Sequence, residues 1–489
     1  MIIRPILTAA VSGIALCCAN LVHAGPVYQP PGANLTYGDV THGKRVQSAS
    51  SNPAAAAADL ARNTGKPTRG TVLSGAAGLE YGNIQNLFDF YDQVTGAYEP
   101  SEPGTGDFPA QLPELKPGLD LGEIWDRLDP DAQAAVTAIA TEVATQVVLA
   151  ALIAEEGHAK AWIAADAPFM FGNEYLGGAW TFGVNWSGSS KAFGLVQPFD
   201  FDLDVARQAL QDWFDTLPID RPTQFPISNH IDLEVDPVTN SVFFTIDNDS
   251  SILTKSTQTT ELNVGYSRQA WSTSAGSLFL GAEARLYLMQ LSRLSVRFGD
   301  ITDSEELFDA IRDANFRTDE NLGVDLGALW VGENYQLGAQ VTNINEPKFT
   351  FPNVNLDPYR SDGAIRFLQR DQVYTMDRQL KLEASLFTAS RSWSAHLGYD
   401  ADPATDPMGD RFQWLTVSGG FSTDSWWLPG GRIGYRQNLA GTELKYVSIG
   451  VTAFRIFNFD ISSALDTVKI DGQKLPQGLM LSVGFEIAW

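Results

Sequence analysis

From about Gly178 to the C-terminus, hydrophobic and polar residues alternate with a period of two in one segment after another. Successive side chains of a strand point to opposite faces, so this alternation predicts strands with one apolar and one polar face. The last segment is the clearest case, and its five apolar positions are Leu481, Val483, Phe485, Ile487 and Trp489. The pattern predicts an all-β protein.

The segments with this alternation, together with one near the N-terminus, form a long series of candidate strands. They are 73–81, 178–187, 191–196, 227–235, 241–247, 260–271, 277–291, 322–331, 335–343, 376–388, 392–399, 412–422, 432–437, 444–455 and 479–489. Barrels of the outer-membrane type usually have an even number of strands, so we predict an antiparallel barrel of about 14 strands. Residues 202–217 and 304–314 have helical spacing and predict short helices in loops.

Two kinds of β-protein have strands with two different faces. A soluble sandwich or barrel buries the apolar face and leaves the polar one wet, whereas a transmembrane barrel turns its apolar face to lipid. Aromatic residues at the strand ends, such as Trp180, Trp393 and Trp427, are typical of the girdles of a membrane barrel. We therefore predict a transmembrane antiparallel β-barrel.

The N-terminus has the features of an export signal. Arg4 precedes an apolar run that ends near Ala19, and a small-residue cleavage pattern ends at Ala24, which predicts a signal peptide over residues 1–24. Cys17 and Cys18 are the only cysteines, so the mature chain is expected to have no thiol chemistry and no disulfide. Together with the barrel, this predicts the outer membrane of a Gram-negative bacterium.

Residues 25–177 differ in composition from the remainder and are rich in Ala, Gly and Pro. A Pro-punctuated loop over 99–118 is followed by Asp129 and Pro130, which predict the start of an Ala-rich helix that runs to about Ala165. We assign 25–177 to an N-terminal plug or insert region containing the first strand and this helix, and 178–489 to the barrel. The segment 134–165 is the candidate for a plug.

The chain has 33 basic and 58 acidic residues and a net charge of −25, which excludes a nucleic-acid-binding surface. Within the barrel segments, a set of charged residues falls on the polar face and is expected to line the lumen: Glu261, Glu283, Arg285, Asp325, Lys381, Glu383, Arg432 and Arg436. Such charges either tune what passes through a barrel or pair with each other to fill a narrow lumen. Both interpretations remain open at the level of the sequence.

Few other residues predict chemistry. Glu155 and His158 have the spacing of a di-iron motif, but the second motif that such a site needs is missing. The acidic stretch 400–410 predicts a surface loop, with a bound calcium ion as the alternative. We find no nucleophile with a matching base, and expect neither an enzyme nor a cofactor nor a metal. Phe485 and Trp489 are the expected signal for the barrel-assembly machinery.

Four segments carry a resemblance to a known family: SSNPAAAA (50–57), GAQVTNINEPKF (338–349), LGYDADPATDPMGDRFQWLTVSGGF (397–421) and LPQGLMLSVGFEIAW (475–489). Over residues 49–489 the chain resembles the conjugal transfer protein TraF family of the outer-membrane β-barrel type, which is distantly similar to FadL-like transporters. The resemblance implies an exported β-barrel. Its FadL-like side implies an N-terminal segment that plugs the lumen and a small hydrophobic ligand.

These observations lead to one functional prediction and one alternative. The prediction is an outer-membrane channel or transporter for small hydrophobic molecules, whose partners are outer-membrane lipid, the barrel-assembly machinery and a small hydrophobic ligand, but no nucleic acid. The alternative, which follows from the family, is a structural or assembly component of a conjugative transfer or secretion system.

Overall fold

The computed structural model describes residues 31–42, 46–62, 69–82, 158–173, 177–195, 223–228, 231–236, 241–246, 249–297, 315–370, 372–423, 425–470 and 473–488. Four helices are described: α1 (Asn34–Tyr37), α2 (Ser48–Ser51), α3 (Ala55–Arg62) and α4 (Asp362–Arg370). No helix of these ranges is long and apolar enough to cross a membrane.

The described strands follow in chain order as β1 (Arg69–Tyr81), β2 (His158–Asn173), β3 (Gly178–Leu195), β4 (Thr223–Ser228), β5 (Ile231–Asp236), β6 (Ser241–Ile246), β7 (Ser251–Thr273), β8 (Gly276–Arg297), β9 (Phe316–Val331), β10 (Tyr335–Thr342), β11 (Lys348–Thr350), β12 (Val373–Thr375), β13 (Gln379–Phe387), β14 (Trp393–Asp400), β15 (Ala404–Thr405), β16 (Arg411–Phe412), β17 (Trp414–Phe421), β18 (Gly430–Asn438), β19 (Lys445–Ala453), β20 (Phe457–Ala464), β21 (Thr467–Ile470), β22 (Gln473–Pro476) and β23 (Gly478–Ala488).

Fourteen of these strands close into an antiparallel barrel, which confirms the predicted fold. Its order around the wall is β1, β2, β3, β7, β8, β9, β10, β13, β14, β17, β18, β19, β20 and β23, and β23 pairs with β1. The remaining strands form a three-stranded sheet, β4–β5–β6, and the pairs β11–β12, β15–β16 and β21–β22. All of these smaller sheets belong to connections between barrel strands.

The two ends of the barrel differ in the length of their connections. At one end, which we call the turn end, neighbouring strands are joined by short turns, for example between β7 and β8 or between β9 and β10, and Gly70 pairs with Ala488 there. At the opposite end, the loop end, the connections are longer and include β11, α4 and β12. The smaller sheets therefore lie in the loop-end connections.

The two faces of the wall follow the alternation in the sequence. The outer face is apolar, and on β19 the side chain of Ile449 is 56% exposed while that of the preceding Ser448 is buried. The same pattern holds on β23, where Leu481 and Val483 are exposed and Ser482 is buried. A closed barrel has only its interior in which to bury one face, so the polar residues face the lumen.

Several sequence-based boundaries need correction. The segments 178–187 and 191–196 form the single strand β3, and 227–235 and 241–247 fall in the small sheet β4–β6 and not in the wall. The wall instead includes β2 and β20, which were not predicted, and β1 and β2 extend the barrel to the N-terminal side of residue 178. The predicted loop helices 202–217 and 304–314 lie outside the described residues.

The predicted Ala-rich helix is wrong from His158 onward. Residues 158–165 belong to β2, which pairs with β1 on one side and β3 on the other. Alanine has the highest helix propensity and fits either face of a strand, so an Ala-rich wall strand has little visible alternation. The rest of that predicted helix, and the signal peptide 1–24, lie outside the described residues.

Candidate functional site: a plugged lumen

The N-terminal segment made of residues 31–42 and 46–62, here called the plug, lies inside the barrel. The Gly32 amide donates to Ser482 Oγ of β23 at 2.6 Å, the Ala57 amide donates to Ser267 Oγ of β7 at 3.1 Å, and Ser418 Oγ of β17 donates to the Tyr37 carbonyl at 2.9 Å. These strands are spread around the wall. One segment can contact all of them only from within the lumen.

Small residues let the plug approach the wall closely. A Cβ added to Gly281 of β8 would lie 2.2 Å from the Pro53 carbonyl oxygen, and one added to Gly434 of β18 would lie 2.1 Å from the Thr36 carbonyl oxygen. The alanines from Ala54 to Ala58 are all buried against the wall. The plug is therefore packed as part of the protein's core.

The plug that the structure describes is a different segment from the candidate 134–165. Residues 134–157 lie outside the described residues, and residues 158–165 form part of the wall strand β2. The segment that fills the lumen includes residues 50–57, the first stretch that carried the family resemblance. The run of small residues in this segment suits a crowded interior. It is the sequence feature that could have identified the segment as the plug.

Three of the predicted lumen charges hold the plug. Glu383 accepts hydrogen bonds from the Thr41 amide, from Thr41 Oγ1 at 2.6 Å and from Asn52 Nδ2 at 3.0 Å. Lys381 Nζ is 2.6 Å from Asp39 Oδ2. Arg432 Nε donates to Asp460 Oδ1 at 2.8 Å, and the same oxygen accepts from Thr36 Oγ1 of the plug. The wall and the plug are thus joined by charge-assisted bonds, which are stronger than neutral ones.

The other predicted lumen charges contact the wall itself. The guanidinium of Arg285 is 2.7 Å from Glu261, 2.7 Å from Glu283 and 2.8 Å from Asp325, so one cation is shared by three carboxylates. The guanidinium of Arg436 lies over the Trp414 ring, 4.7 Å from its centroid. Pairing among lumen charges is therefore present, and their effect on selectivity stays a prediction.

The predicted assembly signal consists of Phe485 and Trp489, and the structure describes the first of these residues. Phe485 packs against Phe457 of β20 with ring centroids 5.3 Å apart, on the side of β23 that carries the exposed apolar residues. Trp489 lies outside the described residues. A role of either residue in recognition by the assembly machinery stays a prediction.

The acidic stretch 400–410 is not a plain surface loop. It contains β15, which pairs with the following β16, and it folds inward, so that Asp406 lies beside Lys160 of β2 and Asp410 Oδ2 is 2.9 Å from the same ammonium. Asp410 also pairs with Lys191 of β3. Among the described residues no group of acidic, histidine or cysteine side chains is arranged to hold a metal ion, so the calcium alternative has no support there.

The charges of this contact affect the two carboxyls in opposite directions. Burial alone would raise the pKa of Asp410, but the two lysine ammoniums outweigh it and hold that pKa well below its usual range. Burial raises the pKa of Asp406, with Lys160 acting against it. We call residues 401–413, with their lysine partners, the mouth hairpin.

Part of the interior at the loop end is apolar. Met289 and Leu291 of β8 are buried against Phe349 of β11 and Tyr374 of β12, and Leu253 of β7 is buried against a second group that includes α4. Nearer the turn end, the inward positions of the same strands are polar, for example Glu261 and Glu283. The lumen therefore has an apolar patch beneath the loops, on the β7–β8 side, in addition to the charged groups of the mouth hairpin.

The burial of Asp59 predicts that the docking of the plug depends on pH. Burial raises the pKa of Asp59 from 3.8 to about 6, although Arg62 and Arg391 lower it, and Glu486 adds to the rise. The protonated acid favours the docked helix, so this contribution is complete below the ordinary pKa and is lost as the pH rises through 6. We expect plug-release events in a planar bilayer to be rarer at pH 4 than at pH 8, with a change in docking free energy of up to about 3 kcal/mol.

Asp59→Asn removes the titrating group and keeps the shape of the side chain. Release events of this variant should be nearly independent of pH over the same range. An equal pH dependence in the variant would show that another group is responsible.

A closed wall of antiparallel strands, an N-terminal plug and inward-folded loops together define a plugged β-barrel of the outer-membrane type. The chain belongs to the family described as "F plasmid transfer operon, TraF, protein", whose model matches residues 49–400. This agrees with the resemblance found in the sequence. No curated protein matches the chain.

The chain also has a low similarity to several solved structures. A TodX monoaromatic hydrocarbon channel mutant is 9% identical, with a TM-score of 0.39, over 96% of this chain and 99% of that one. A Pseudomonas aeruginosa FadL homologue is 12% identical, with a TM-score of 0.34, over 96% and 100%. A mutant of the Rh. blastica porin is 8% identical, with a TM-score of 0.23, over 86% and 100%.

Proposed function

We propose that this protein is an outer-membrane channel or transporter for small hydrophobic molecules in a Gram-negative bacterium. The observation that carries the proposal is the apolar patch inside the loop end of the barrel. The lumen of a water-filled barrel is polar, whereas here Leu253, Met289 and Leu291 turn apolar side chains inward at the loop end. An interior of this kind suits an apolar cargo that enters beneath the loops.

The outer surface supports the membrane location. Exposed apolar residues cover the middle of the wall, and aromatic residues gather near the turn end, where Trp271 lies 6.1 Å from Trp330 and Trp393 lies 5.0 Å from Phe421 between ring centroids. Aromatic girdles of this kind mark the membrane interfaces of outer-membrane barrels.

The membrane location predicts a position-dependent cost of charge on the outer face. Ile449→Arg places a cation at mid-strand and should destabilise the barrel by about 2–4 kcal/mol, whereas Trp427→Arg, in a turn, should cost about 0–1 kcal/mol. The measurement is the urea midpoint of folding into lipid vesicles, followed by the heat-dependent mobility of the barrel. Equal costs for the two variants would argue against a bilayer around the wall.

The transport proposal is tested by uptake. Cells that lack their own hydrocarbon channels and express this protein should take up radiolabelled naphthalene faster than cells without it, while uptake of radiolabelled glucose should stay unchanged. A matched variant, Met289→Lys, places a charge in the apolar interior and should reduce naphthalene uptake. Unchanged naphthalene uptake with a folded, surface-located wild-type protein would contradict the proposal.

The alternative is a structural or assembly component of a conjugative transfer or secretion system. The family description, which refers to a plasmid transfer operon, favours it. Loss of conjugation or secretion in a deletion strain whose naphthalene uptake is unchanged would support this alternative over transport.

A further inference from the structure

One row of inward-facing polar residues crosses four neighbouring strands of the wall. Ser74 of β1 pairs with Asp166 of β2, Asp166 pairs with Asn185 of β3, and Asn185 pairs with Glu261 of β7. Directly paired residues of antiparallel strands have side chains on the same face, with Cβ atoms about 4.5–5.5 Å apart. The four side chains therefore form one continuous polar strip on the lumen wall.

Three atoms of this strip have no hydrogen-bond partner in the part of the chain that is described: Ser74 Oγ, Asp166 Oδ1 and Asn185 Oδ1. Asp166 is only 7% exposed. Buried polar atoms in folded proteins almost always have a partner, because a buried one without it loses the hydrogen bonds that water would supply. The Asp166 and Asn185 oxygens can only accept, and the Ser74 hydroxyl can accept as well as donate. These adjacent atoms indicate that a group which donates hydrogen bonds belongs between them.

The orientation of the Asn185 amide is fixed by its neighbour. Asn185 Nδ2 donates to Glu261 Oε1 at 2.8 Å, and an ionised carboxylate can only accept. The amide oxygen of Asn185 must therefore be the atom that remains without a partner. It presents a second acceptor beside the Asp166 carboxylate.

Acidic side chains outnumber basic ones beside the strip. Arg285 is the cation of the adjoining cluster, and its guanidinium is already shared by Glu261, Glu283 and Asp325. Asp166 is a further acidic side chain within electrostatic reach of Glu261 and Arg285. A cationic occupant would therefore stabilise the ionised form of Asp166.

We propose that the strip formed by Ser74, Asp166 and Asn185 binds a protonated amine. The acceptors call for an occupant with N–H donors, and the excess of acidic side chains calls for a positive charge. An ammonium group supplies both the N–H donors and the positive charge. If the protein transports hydrophobic molecules, this site implies that its cargo includes lipophilic amines. That part of the inference rests on the proposed function.

Binding is measured by calorimetry on the full-length mature protein in a nonionic detergent, with hexylammonium chloride as the probe. Wild type should bind one equivalent, and Asp166→Asn should bind about tenfold more weakly because a charge-assisted hydrogen bond is lost. Asn185→Asp adds a carboxylate and should bind more tightly. Asp362→Asn, on the exposed face of α4, is the matched control and should bind like wild type.

Two further probes identify the chemistry of the occupant. Hexyltrimethylammonium has the same charge without N–H donors, and hexanol has no charge; both should bind at least about tenfold more weakly than hexylammonium. Binding of hexylammonium that Asp166→Asn and Asn185→Asp leave unchanged, in barrels shown to be folded by heat-dependent mobility, overturns the proposal. Displacement of hexylammonium by calcium at equal concentration also overturns it, in favour of a metal site.

The calorimetric result separates this site from the transport proposal. Hexylammonium binding that depends on Asp166, together with unchanged naphthalene uptake, would retain the site and reject transport. Naphthalene uptake without hexylammonium binding would retain transport and reject the site.

Discussion

Deletion of the plug residues 31–62 is expected to raise the single-channel conductance of the purified protein by about tenfold, because a barrel of this strand number is wide enough to leave a water-filled lumen once nothing fills it. In the intact protein the plug contacts strands around the whole wall, and its closest approaches leave no room even for a Cβ on Gly281 or Gly434. The segment therefore occupies the path that ions would take.

The deletion removes hydrogen-bond partners from Glu383 and Asp460, so a milder variant is needed beside it. Glu383→Gln keeps the side-chain shape but weakens the bonds from Thr41 and Asn52. We expect it to give intermittent openings to the conductance of the deletion variant. Planar-bilayer recordings of both variants, with folding checked by heat-dependent mobility, provide the measurement.

A labelling experiment tests the same prediction without deleting anything. The predicted mature chain has no cysteine, so one introduced at Ala57 or Ala61 of α3 is unique. Ala57 is buried against the wall, while Ala61 is exposed. A maleimide should label Ala61→Cys quickly and Ala57→Cys slowly, and Glu383→Gln should speed up only the second reaction. Equal rates at both positions, or a deletion variant with wild-type conductance, would show that the segment does not close the lumen.

The sequence predicts the class of fold well because every residue of a barrel wall faces either the outside or the lumen. Each strand must present an apolar and a polar face, so β7, β8, β9 and β23 carry the alternation plainly. The alternation is also present in β20, with Phe457, Phe459 and Ile461 against Asn458 and Asp460, although β20 is not among the predicted strands. The predicted number of strands is right partly because two errors offset each other. The wall strands β2 and β20 are missing from the prediction, whereas the segments that form β4–β6 are wrongly assigned to the wall.

The plug and the mouth could not be derived in the same way. Their residues are selected by contacts between parts of the chain that are distant in sequence, such as Thr41 with Glu383 or Lys160 with Asp406. Periodicity reports only which face of an element is buried, and not what buries it. For the same reason the charges of the polar face were recognisable as a set, but their division between the plug and the Arg285 cluster was not.

The mouth hairpin is the second place where we expect a large effect. It belongs to the connection between β14 and β17, which lie across the barrel from β2 and β3. Lys160 and Lys191 therefore hold a loop from the opposite wall over the lumen. Asp406→Asn combined with Asp410→Asn leaves two buried ammoniums without their carboxylates, and breaking a buried ion pair from one side costs about 3–5 kcal/mol.

The small strand pair β15–β16 is expected to contribute less stabilisation than this cost when it is docked. We therefore expect the hairpin of the double variant to leave the lumen. In the plug-deletion background the double variant should then raise the conductance further and shift ion selectivity toward anions, because two carboxylates are replaced and two lysines are uncovered. Asp402→Asn, an exposed position of the same loop, is the matched control and should change neither. High salt should reduce the shift in selectivity through screening but not the gain in conductance. A folded double variant with the conductance and selectivity of its parent would mean that the hairpin leaves the ion path open even when it is docked.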